Sequence, residues 1–199
     1  MPEKYYNASM RIILASKSPR RLEIMRRHGI EPILMPTDTD ETLFEGIEMC
    51  EAAETLAERK ARACYEQLQS AKSDYSDCII IGADTIVYKN EIMGKPSDYD
   101  DAFRMLSLIR NTHHYVVTGV ALIDVPTAEC KVFSDVTEVF CKDYTDEQIA
   151  EYIEKEQPYD KAGSYAIQGP FGEYIDHIDG DYENVVGLPY YRIAEALNL

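Results

Sequence analysis

The sequence of 199 residues has little of what would mark a membrane, secreted or zinc-bound protein. No apolar run approaches the roughly 18 to 20 residues that cross a bilayer, and residues 1–10 contain no secretory apolar segment. The five cysteines are odd in number and widely spaced, and no Cys-x-x-Cys pair occurs. This pattern argues against a disulfide framework or a zinc knuckle. We therefore expect a cytoplasmic protein with reduced, buried thiols and no membrane partner.

Basic residues are also scarce. Lys and Arg total 20 against 36 Asp and Glu, which gives a formal net charge of -16. Such an acidic balance disfavours an extended nucleic-acid surface. The 15 tyrosines are scattered, whereas base-stacking platforms lie in basic grooves, so we expect no nucleic-acid partner. A small anionic ligand in a locally basic pocket is compatible with this composition.

Standard nucleotide and catalytic motifs are missing. Gly94-Lys95 lacks the preceding glycine of a P-loop, and no Gly-x-Gly-x-x-Gly occurs. The four histidines form no His-Glu-x-x-His or triad-like group, so we predict that each is structural or on the surface. Any phosphate site must be assembled in another way.

One basic segment stands out in this acidic chain. Residues 11–27 hold six basic side chains against one acid, and an apolar run over residues 12–15 leads into Ser16-Lys17-Ser18-Pro19-Arg20-Arg21. Ser18 suits a helix N-cap, Pro19 suits the first helical position and Gly29 suits the helix end. The pattern predicts a strand, a turn and a helix.

The predicted helix N-terminus is a favourable place for phosphate, because backbone N–H groups and the helix dipole point at the ligand there. We expect Arg20 and Arg21 to contact phosphate and the remaining arginines of the segment to form a solvated face. Ser16 and Ser18 are expected to donate hydrogen bonds rather than act as nucleophiles, since no Gly-x-Ser-x-Gly elbow is present.

Strand and helix signals alternate early in the chain, and a long hairpin comes in the middle. The predicted strands cover residues 33–35, 78–81, 115–124, 131–141 and 174–178, and a hairpin turn is predicted at Lys89-Asn90-Glu91. The predicted helices cover residues 49–70, a segment capped by Ser97, a segment opened by the capping box Thr145-x-x-Gln148, and residues 188–199. This order favours one α/β domain over residues 1–199 with a mixed sheet.

Acids and lysines at strand ends and in loops are the remaining candidates for chemistry. Asp84 follows the buried strand 78–81, and open α/β sheets bind ligands at the carboxyl ends of such strands. The alternative for Asp84 is an Asx turn, and for Asp40, Glu41 and Lys60 it is ordinary solvation. Cations that bind polyphosphate and carboxylates that hold a divalent cation together match phosphoryl chemistry.

Five blocks of the sequence carry a family resemblance. They are Leu14-Ala15-Ser16-x-Ser18-Pro19-Arg20-Arg21, Ile81-Gly82-Ala83-Asp84-Thr85, Gly94-Lys95-Pro96, Asp160-Lys161-Ala162-Gly163-x-Tyr165-x-Ile167-Gln168-Gly169 and Val186-Gly187-Leu188-Pro189. The blocks occur in the order that the Maf family has, and they extend over almost the whole chain. The chain therefore closely resembles the Maf family of nucleoside triphosphate pyrophosphatases.

The resemblance implies an α/β fold shared with inosine triphosphatases, in which an elongated mixed β-sheet with flanking helices forms two lobes around a central cleft. It implies hydrolysis of the α-β phosphate bond of a nucleoside triphosphate to the monophosphate and pyrophosphate. A divalent cation, Mg, Mn or Co, is the implied cofactor, and a homodimer is an implied assembly.

Roles for individual residues follow from the same resemblance. Asp84 resembles the catalytic acid, usually given the proton-acceptor role, and Glu41 and Asp84 are the implied metal ligands. The implied substrate-binding residues are Ser16, Arg20, Arg21, Lys60, Lys95 and Lys161. Whether Asp84 acts as base or as metal ligand stays open here, because contact with a metal lowers the basicity of a carboxylate. Asp40 stands where glutamate is common, so either acid of the pair Asp40 and Glu41 is open as the metal contact.

Three positions resemble the residues that select the base. One branch of the family carries arginine, threonine and glutamine there, and the other carries tryptophan, glutamine and glutamate. This chain has Arg20, Thr85 and Gln168. It therefore resembles the branch that acts on dTTP and UTP, with modified pyrimidine triphosphates as further candidates, rather than on 7-methyl-GTP. The amide of Gln168 offers a donor and an acceptor, which match N3–H and O4 of a pyrimidine.

A regulator of cell division is the alternative function, because the family has also been linked to arrest of division and septum formation. Such a protein would bind nucleotide and a partner without hydrolysis. Release of pyrophosphate distinguishes the two functions.

Overall fold

The computed structural model describes residues 10–71, 75 and 77–199, and this part of the chain forms seven strands and six α-helices. The strands are β1 (Arg11–Leu14), β2 (Ile33–Leu34), β3 (Cys78–Lys89), β4 (Glu91–Met93), β5 (His113–Asp124), β6 (Cys130–Cys141) and β7 (Ile175–Asp179). The helices are α1 (Pro19–Arg27), α2 (Met49–Ala71), α3 (Tyr99–Ile109), α4 (Asp146–Glu156), α5 (Tyr182–Val186) and α6 (Tyr190–Leu197). Short 3₁₀ helices cover Ala162–Ser164 and Pro170–Tyr174.

The strands form one mixed sheet in the order β2-β1-β3-β5-β6-β7, and β4 pairs with β3 outside this path. β1 is parallel to both β2 and β3, whereas the β3–β4 and β6–β7 pairs are antiparallel. The predicted α/β class with a mixed sheet is confirmed. Parallel pairing of β1 with its neighbours follows from the helical crossovers α1 and α2.

Asp84 lies inside a strand and not after one. β1 pairs with β3 from Arg11↔Cys78 to Leu14↔Ile81, and this parallel ladder stops there. β3 nevertheless continues to Lys89, because β5 also neighbours it in the sheet and its last residues, Val87 to Lys89, pair antiparallel with β4. The prediction that the strand ended at residue 81 is wrong. Asp84 does lie just past the end of the parallel ladder.

The chain divides into two compact units. Unit 1 contains the described residues up to Asp84, then Thr118–Asp135 and Gly187–Leu199, and unit 2 contains Thr85–Val117 and Val136–Val186. The core of unit 1 is aliphatic and includes Ile13, Ile80, Ala121, Cys64 and Ala57. The core of unit 2 is rich in aromatic side chains, including Tyr144, Tyr152, Tyr165 and Phe171.

Helix α2 packs unusually close to the sheet of unit 1. A Cβ atom at Gly82 would lie 2.8 Å from Ala61 Cβ and closer still to the carbonyl oxygen of Ala57. A Cβ atom at Gly119 would overlap the backbone of Ala53 in the same way. Only glycine permits this approach of backbone to backbone. The close packing places the middle of α2 directly against the part of β3 that carries Asp84.

The predicted signals at helix ends were mostly right. Gly29 adopts a φ of 78°, and the N–H groups of Gly29 and Ile30 donate to the carbonyls of Arg26 and Met25, which closes α1 with a Schellman motif. Ser18 occupies the N-cap of α1, but its side chain makes no capping hydrogen bond. Thr145 and Gln148 form the predicted capping box of α4.

Four details of the structure differ from the prediction. Asp98, rather than Ser97, caps α3, because its carboxylate accepts from Asp101 N–H at 2.9 Å. The sequence pattern missed α5, and α6 is shorter than the predicted helix 188–199 because the turn at Gly187 and Pro189 precedes it. Cys50 and Cys130 are only half-buried, although Cys64, Cys78 and Cys141 are buried as expected.

In the described part of the chain, no helix has the length and apolar character to cross a membrane.

Candidate active site

The junction between β1 and α1 holds Arg21 in an internal position. Arg21 is 9% exposed, and its Nε donates to the carbonyl oxygen of Gly187 at 2.7 Å. Its Nη1 donates to Ser16 Oγ at 3.2 Å, and Ser16 Oγ also accepts from Ser18 N–H at 3.1 Å. The turn before α1 is thus tied to the guanidinium rather than capped by Ser18.

Burial lowers the pKa of Arg21, and the negative charge of Asp84 acts in the opposite direction, followed by smaller effects of Arg20 and Glu41. The carboxylates therefore lie near enough to the guanidinium to offset part of its desolvation. Arg20, one position earlier in the helix, is half-buried. The two arginines that the sequence singled out differ in burial, and Arg21 is the one built into the fold.

Lys60 joins two carboxylates in the same unit. Its Nζ forms an ion pair with Asp84 Oδ1 and lies 3.0 Å from Glu41 Oε1. Lys60 and Asp84 are largely buried, at 15% and 13% side-chain exposure, whereas Glu41 is 52% exposed. The close packing of α2 on Gly82 accounts for the approach of Lys60 to Asp84. The predicted set Glu41, Lys60 and Asp84 is brought together.

The loop before α2 distinguishes Glu41 from Asp40. Asp40 Oδ1 accepts from Thr42 N–H at 2.8 Å, and this hydrogen bond lowers the pKa of Asp40. Asp40 therefore stabilises its own turn, while the side chain of Glu41 reaches Lys60. Arg59 holds the same turn, because its Nη1 donates to the carbonyl oxygens of Asp40 and Thr42 at 3.0 and 2.7 Å.

The pair of carboxylates fits a divalent cation. Glu41 and Asp84 direct oxygens at one cationic atom, Lys60 Nζ, and carboxylate oxygens are the ligands that Mg²⁺ prefers. Within residues 10–71, 75 and 77–199, no group of three or more His, Cys, Asp and Glu side chains could hold a metal ion. Two carboxylates suffice for Mg²⁺ bound together with substrate phosphates, because that ion keeps several waters.

The remaining predicted residues belong to unit 2. Lys95 is exposed and follows Gly94, whose carbonyl oxygen accepts from Gly163 N–H at 3.1 Å. Ser164 N–H donates to the carbonyl of Lys161 at 3.1 Å, and Lys161 Nζ pairs with Asp160 at 2.6 Å. The loop of Lys95 and the turn of Lys161 are therefore held side by side.

Gln168 projects from the next turn of the same loop. The turn is closed by Gly169 N–H donating to the carbonyl of Ala166 at 3.0 Å, and Gln168 is exposed. Tyr165, three residues earlier, is buried and its hydroxyl lies 2.6 Å from His114 Nε2. Thr85 is half-buried on β3. The turn that carries the Gln168 side chain is thus held by a backbone hydrogen bond and by the buried Tyr165, while the amide itself is exposed.

Comparison with known proteins identifies the family of this chain. The family model described as Maf-like protein matches residues 11–199. The chain belongs to the Maf family. Among similar proteins, the dTTP/UTP pyrophosphatase of Caldicellulosiruptor bescii is 41% identical over 92% of this chain and 91% of its own length. The proteins of the same name from Alkaliphilus oremlandii and Citrifermentans bemidjiense are 42% and 43% identical, each over 94% of both chains.

These contacts explain the structural role of two of the Maf sequence blocks. The block Val186-Gly187-Leu188-Pro189 supplies the carbonyl that holds Arg21, and the Gly82-Ala83-Asp84 block combines close helix packing with the carboxylate. Sequence reasoning missed two contributors, the Gly187 carbonyl and Arg59. Neither has a local signal, since the Gly187 contact spans 166 positions and the Arg59 contact 17 to 19 positions.

Proposed function

We propose that this Maf protein hydrolyses the α-β phosphate bond of dTTP and UTP, releasing the nucleoside monophosphate and pyrophosphate. The observation that carries the proposal is the convergence of Glu41, Lys60 and Asp84 in unit 1, within electrostatic range of Arg21. The names of the similar proteins support the same substrates. Arg20, Thr85 and Gln168 support a pyrimidine rather than 7-methyl-GTP.

Hydrolysis first requires that the negative charge of the triphosphate is neutralised. Arg20, Arg21 and Lys60 supply cations for the triphosphate oxygens, and Lys95 and Lys161 are further proposed substrate-binding residues. Arg21 is preorganised for this, because its hydrogen bonds to Gly187 and Ser16 fix the plane of the guanidinium. Phosphoryl transfer depends mainly on such positioned charge, since its transition state carries charge on the phosphate oxygens.

Asp84 is assigned to the attacking water. Its carboxylate orients or deprotonates the water that attacks the α phosphorus, and the new O–P bond forms as the bond to the β-phosphate oxygen breaks. Where a bound cation lowers the basicity of Asp84, a second carboxylate takes the proton. Pyrophosphate then leaves with the electron pair of the broken bond. The ammonium of Lys60 holds the carboxylate in place, because the two groups are in contact and largely buried.

Glu41 and Asp84 would hold the divalent cation, Mg, Mn or Co. When bound, that ion supplies neutralisation of phosphate charge in addition to that of the arginines and lysines. The same two carboxylates contact Lys60 in the structure, so the ammonium and the ion share one pair of ligands.

Recognition of the base is assigned to Gln168. An exposed side chain on an anchored turn can meet a ligand without disturbing the core. Its carbonyl accepts from N3–H of uracil or thymine and its amide donates to O4, whereas cytosine presents the opposite pattern at these positions.

A substrate panel tests the proposal. The purified chain with Mg²⁺ or Mn²⁺ is assayed for pyrophosphate release from dTTP, UTP, CTP, 7-methyl-GTP and modified pyrimidine triphosphates. We expect turnover of dTTP and UTP. Turnover of 7-methyl-GTP without dTTP would overturn the assignment of the base, and nucleotide binding without pyrophosphate release would favour the regulator of cell division.

The role of Asp84 has its own test. Asp84→Asn keeps the size of the side chain but removes its charge, and we expect dTTP turnover to fall by at least about a hundredfold. Asp100→Asn on α3, an exposed acid in its first turn, is the matched control. Near-normal turnover in Asp84→Asn would eliminate Asp84 as an essential group.

The proposal includes a cytoplasmic location and a homodimer. Cell fractionation checks the first, and sedimentation of the purified chain checks the second.

A further inference from the structure

Glu41 needs support from the backbone to hold its place. Its side chain is 52% exposed, so packing against neighbours does not fix its orientation. It also lies in the stretch between β2 and α2, outside the regular elements. Yet its carboxylate lies 3.0 Å from Lys60 Nζ. Something other than burial therefore directs this acid toward Lys60 and Asp84.

Arg59 provides that support. A single nitrogen, Nη1, donates to the carbonyl oxygens of Asp40 and Thr42, the residues on either side of Glu41. The Asx turn from Thr42 N–H to Asp40 Oδ1 closes the same three residues. Because the peptide groups before and after Glu41 are both tied, the direction of its Cα–Cβ bond is fixed.

The position of Arg59 on α2 makes this contact informative. Arg59 immediately precedes Lys60, so one turn of α2 carries both the ammonium and the group that holds the acid. Thr37 Oγ1 also donates to the carbonyl oxygen of Lys60 at 3.3 Å, which ties the start of the loop to the same turn. The spacing between the Glu41 carboxylate and Lys60 is thus set by one rigid segment.

We propose that Arg59 is a positioning residue that keeps the Glu41 carboxylate directed at the Lys60 and Asp84 pair. The inference rests on the proposed function, in which Glu41 and Asp84 hold a divalent cation. Without Arg59, the loop that carries Glu41 loses the hydrogen bonds to the carbonyls of Asp40 and Thr42, and the pair of carboxylates is less well preformed. Binding of the cation then has to order the loop as well, and its affinity falls.

Two methionine variants test the inference with matched charge. Arg59→Met removes the donors to the loop, and Arg62→Met removes an equal charge from the same helix, where Arg62 contacts Glu58 at 2.7 Å. Mn²⁺ affinity is measured by calorimetry on the protein saturated with a non-hydrolysable dTTP analogue, because the two carboxylates are proposed to hold the cation together with substrate phosphates. The Mn²⁺ concentration for half-maximal dTTP turnover is measured separately. We expect both constants to weaken about tenfold in Arg59→Met. They should change less than about twofold in Arg62→Met, because exposed ion pairs contribute little. Equal constants in the two variants would overturn the inference.

Two further variants separate positioning from general stability. Arg59→Lys should recover most of the Mn²⁺ affinity, because an ammonium can donate to both carbonyls. In the background of Glu41→Gln, Arg59→Met should cause no further loss of Mn²⁺ affinity, since Arg59 acts through Glu41. Additive losses would contradict the inference. Thermal unfolding of each variant identifies any loss that comes from unfolding.

The failure of the proposed function is distinguishable from the failure of this inference. A wild-type chain that binds Mn²⁺ but releases no pyrophosphate refutes the enzyme and leaves the calorimetric comparison of Arg59→Met and Arg62→Met decisive. A wild-type chain that binds no Mn²⁺ contradicts the inference, because Arg59 would then have no cation site to organise.

Discussion

Arg21 Nε donates a 2.7 Å hydrogen bond to the carbonyl oxygen of Gly187, a residue 166 positions later in the chain. Gly187 adopts a φ of 121°, which L side chains rarely adopt, so a glycine is required where the carbonyl turns toward the guanidinium. The contact joins the first and the last of the sequence blocks within unit 1. It also makes Arg21 a poor candidate for exchange with lysine.

We expect Arg21→Lys to lower kcat/KM for dTTP at least about tenfold. Arg21 uses two separate nitrogens, Nε for Gly187 and Nη1 for Ser16, and the single ammonium of a lysine cannot occupy both positions, so the turn before α1 loses one of its two ties. The measurement is steady-state pyrophosphate release at saturating Mg²⁺. Arg26→Lys, an exposed arginine of the same helix that pairs with Glu31, is the control and should keep wild-type values. Equal activity of the two variants would show that the guanidinium fork has no role.

Lys60→Met should lower the free energy of unfolding at neutral pH by about 1 to 3 kcal/mol. The substitution leaves the largely buried Asp84 carboxylate and Glu41 without the ammonium between them. Because a divalent cation could take that place, Mn²⁺ should raise the melting temperature of Lys60→Met by more than it raises that of the wild type. Lys155→Met, which removes an exposed partner of Glu151, is the control. An equal response to Mn²⁺ in all three proteins would argue against a shared position for the ammonium and the ion.

Gln168→Glu should lower kcat/KM for dTTP and UTP at least about tenfold. The carboxylate keeps an acceptor but loses the donor that we assign to O4 of the base. The side chain is exposed, so the melting temperature should stay unchanged. Gln69→Glu on α2 adds the same charge at an exposed site in unit 1 and is the control. Unchanged discrimination between dTTP and CTP would place base recognition elsewhere.

His114 makes the stability of the fold depend on acidity. Burial, with smaller effects of the charges on Lys89 and His113, lowers the pKa of His114 from 6.5 to about 3. Below pH 6.5 the unfolded chain therefore binds a proton that the folded chain excludes. The free energy of unfolding should fall by up to about 1.4 kcal/mol for each pH unit from 6.5 down to about 3, and this contribution is fully present above pH 6.5.

The test of this prediction compares how steeply the free energy of unfolding depends on pH in the wild type and in two histidine variants. In His114→Gln, the free energy of unfolding measured by urea titration should depend less on pH between 6.5 and 3 than in the wild type, because the carboxylates of both proteins are the same. His177→Gln changes an exposed histidine and should keep the wild-type slope. A wild-type slope in His114→Gln would mean that other groups cause the acid sensitivity.

Local patterns predicted most of the fold because the physical causes lie within a few residues. The Schellman end of α1 at Gly29, the capping box of Thr145 and Gln148 and the turn at Asn90 with its φ of 60° all follow from neighbours in sequence. The errors occur where a partner from elsewhere decides. β3 extends past Ile81 because the sheet places β5 beside it and because β4 pairs with its last residues, Val87 to Lys89. The cap of α3 is a local exception, since the carboxylate of Asp98 accepts from Asp101 N–H.

The amino-acid sequence was sufficient to establish the α/β class, the membership of the Maf family and the residue types at the candidate site. Charge, periodicity and motif order contain that information directly. Three contacts became known from the folded chain alone: Glu41 rather than Asp40 contacts Lys60, the Gly187 carbonyl holds Arg21, and Arg59 holds the loop around Glu41. These relations depend on the close approach of α2 to β3 at Gly82 and on contacts between distant segments. No local pattern reports them, because hydrogen bonds between remote residues form only after the core has brought their backbones together.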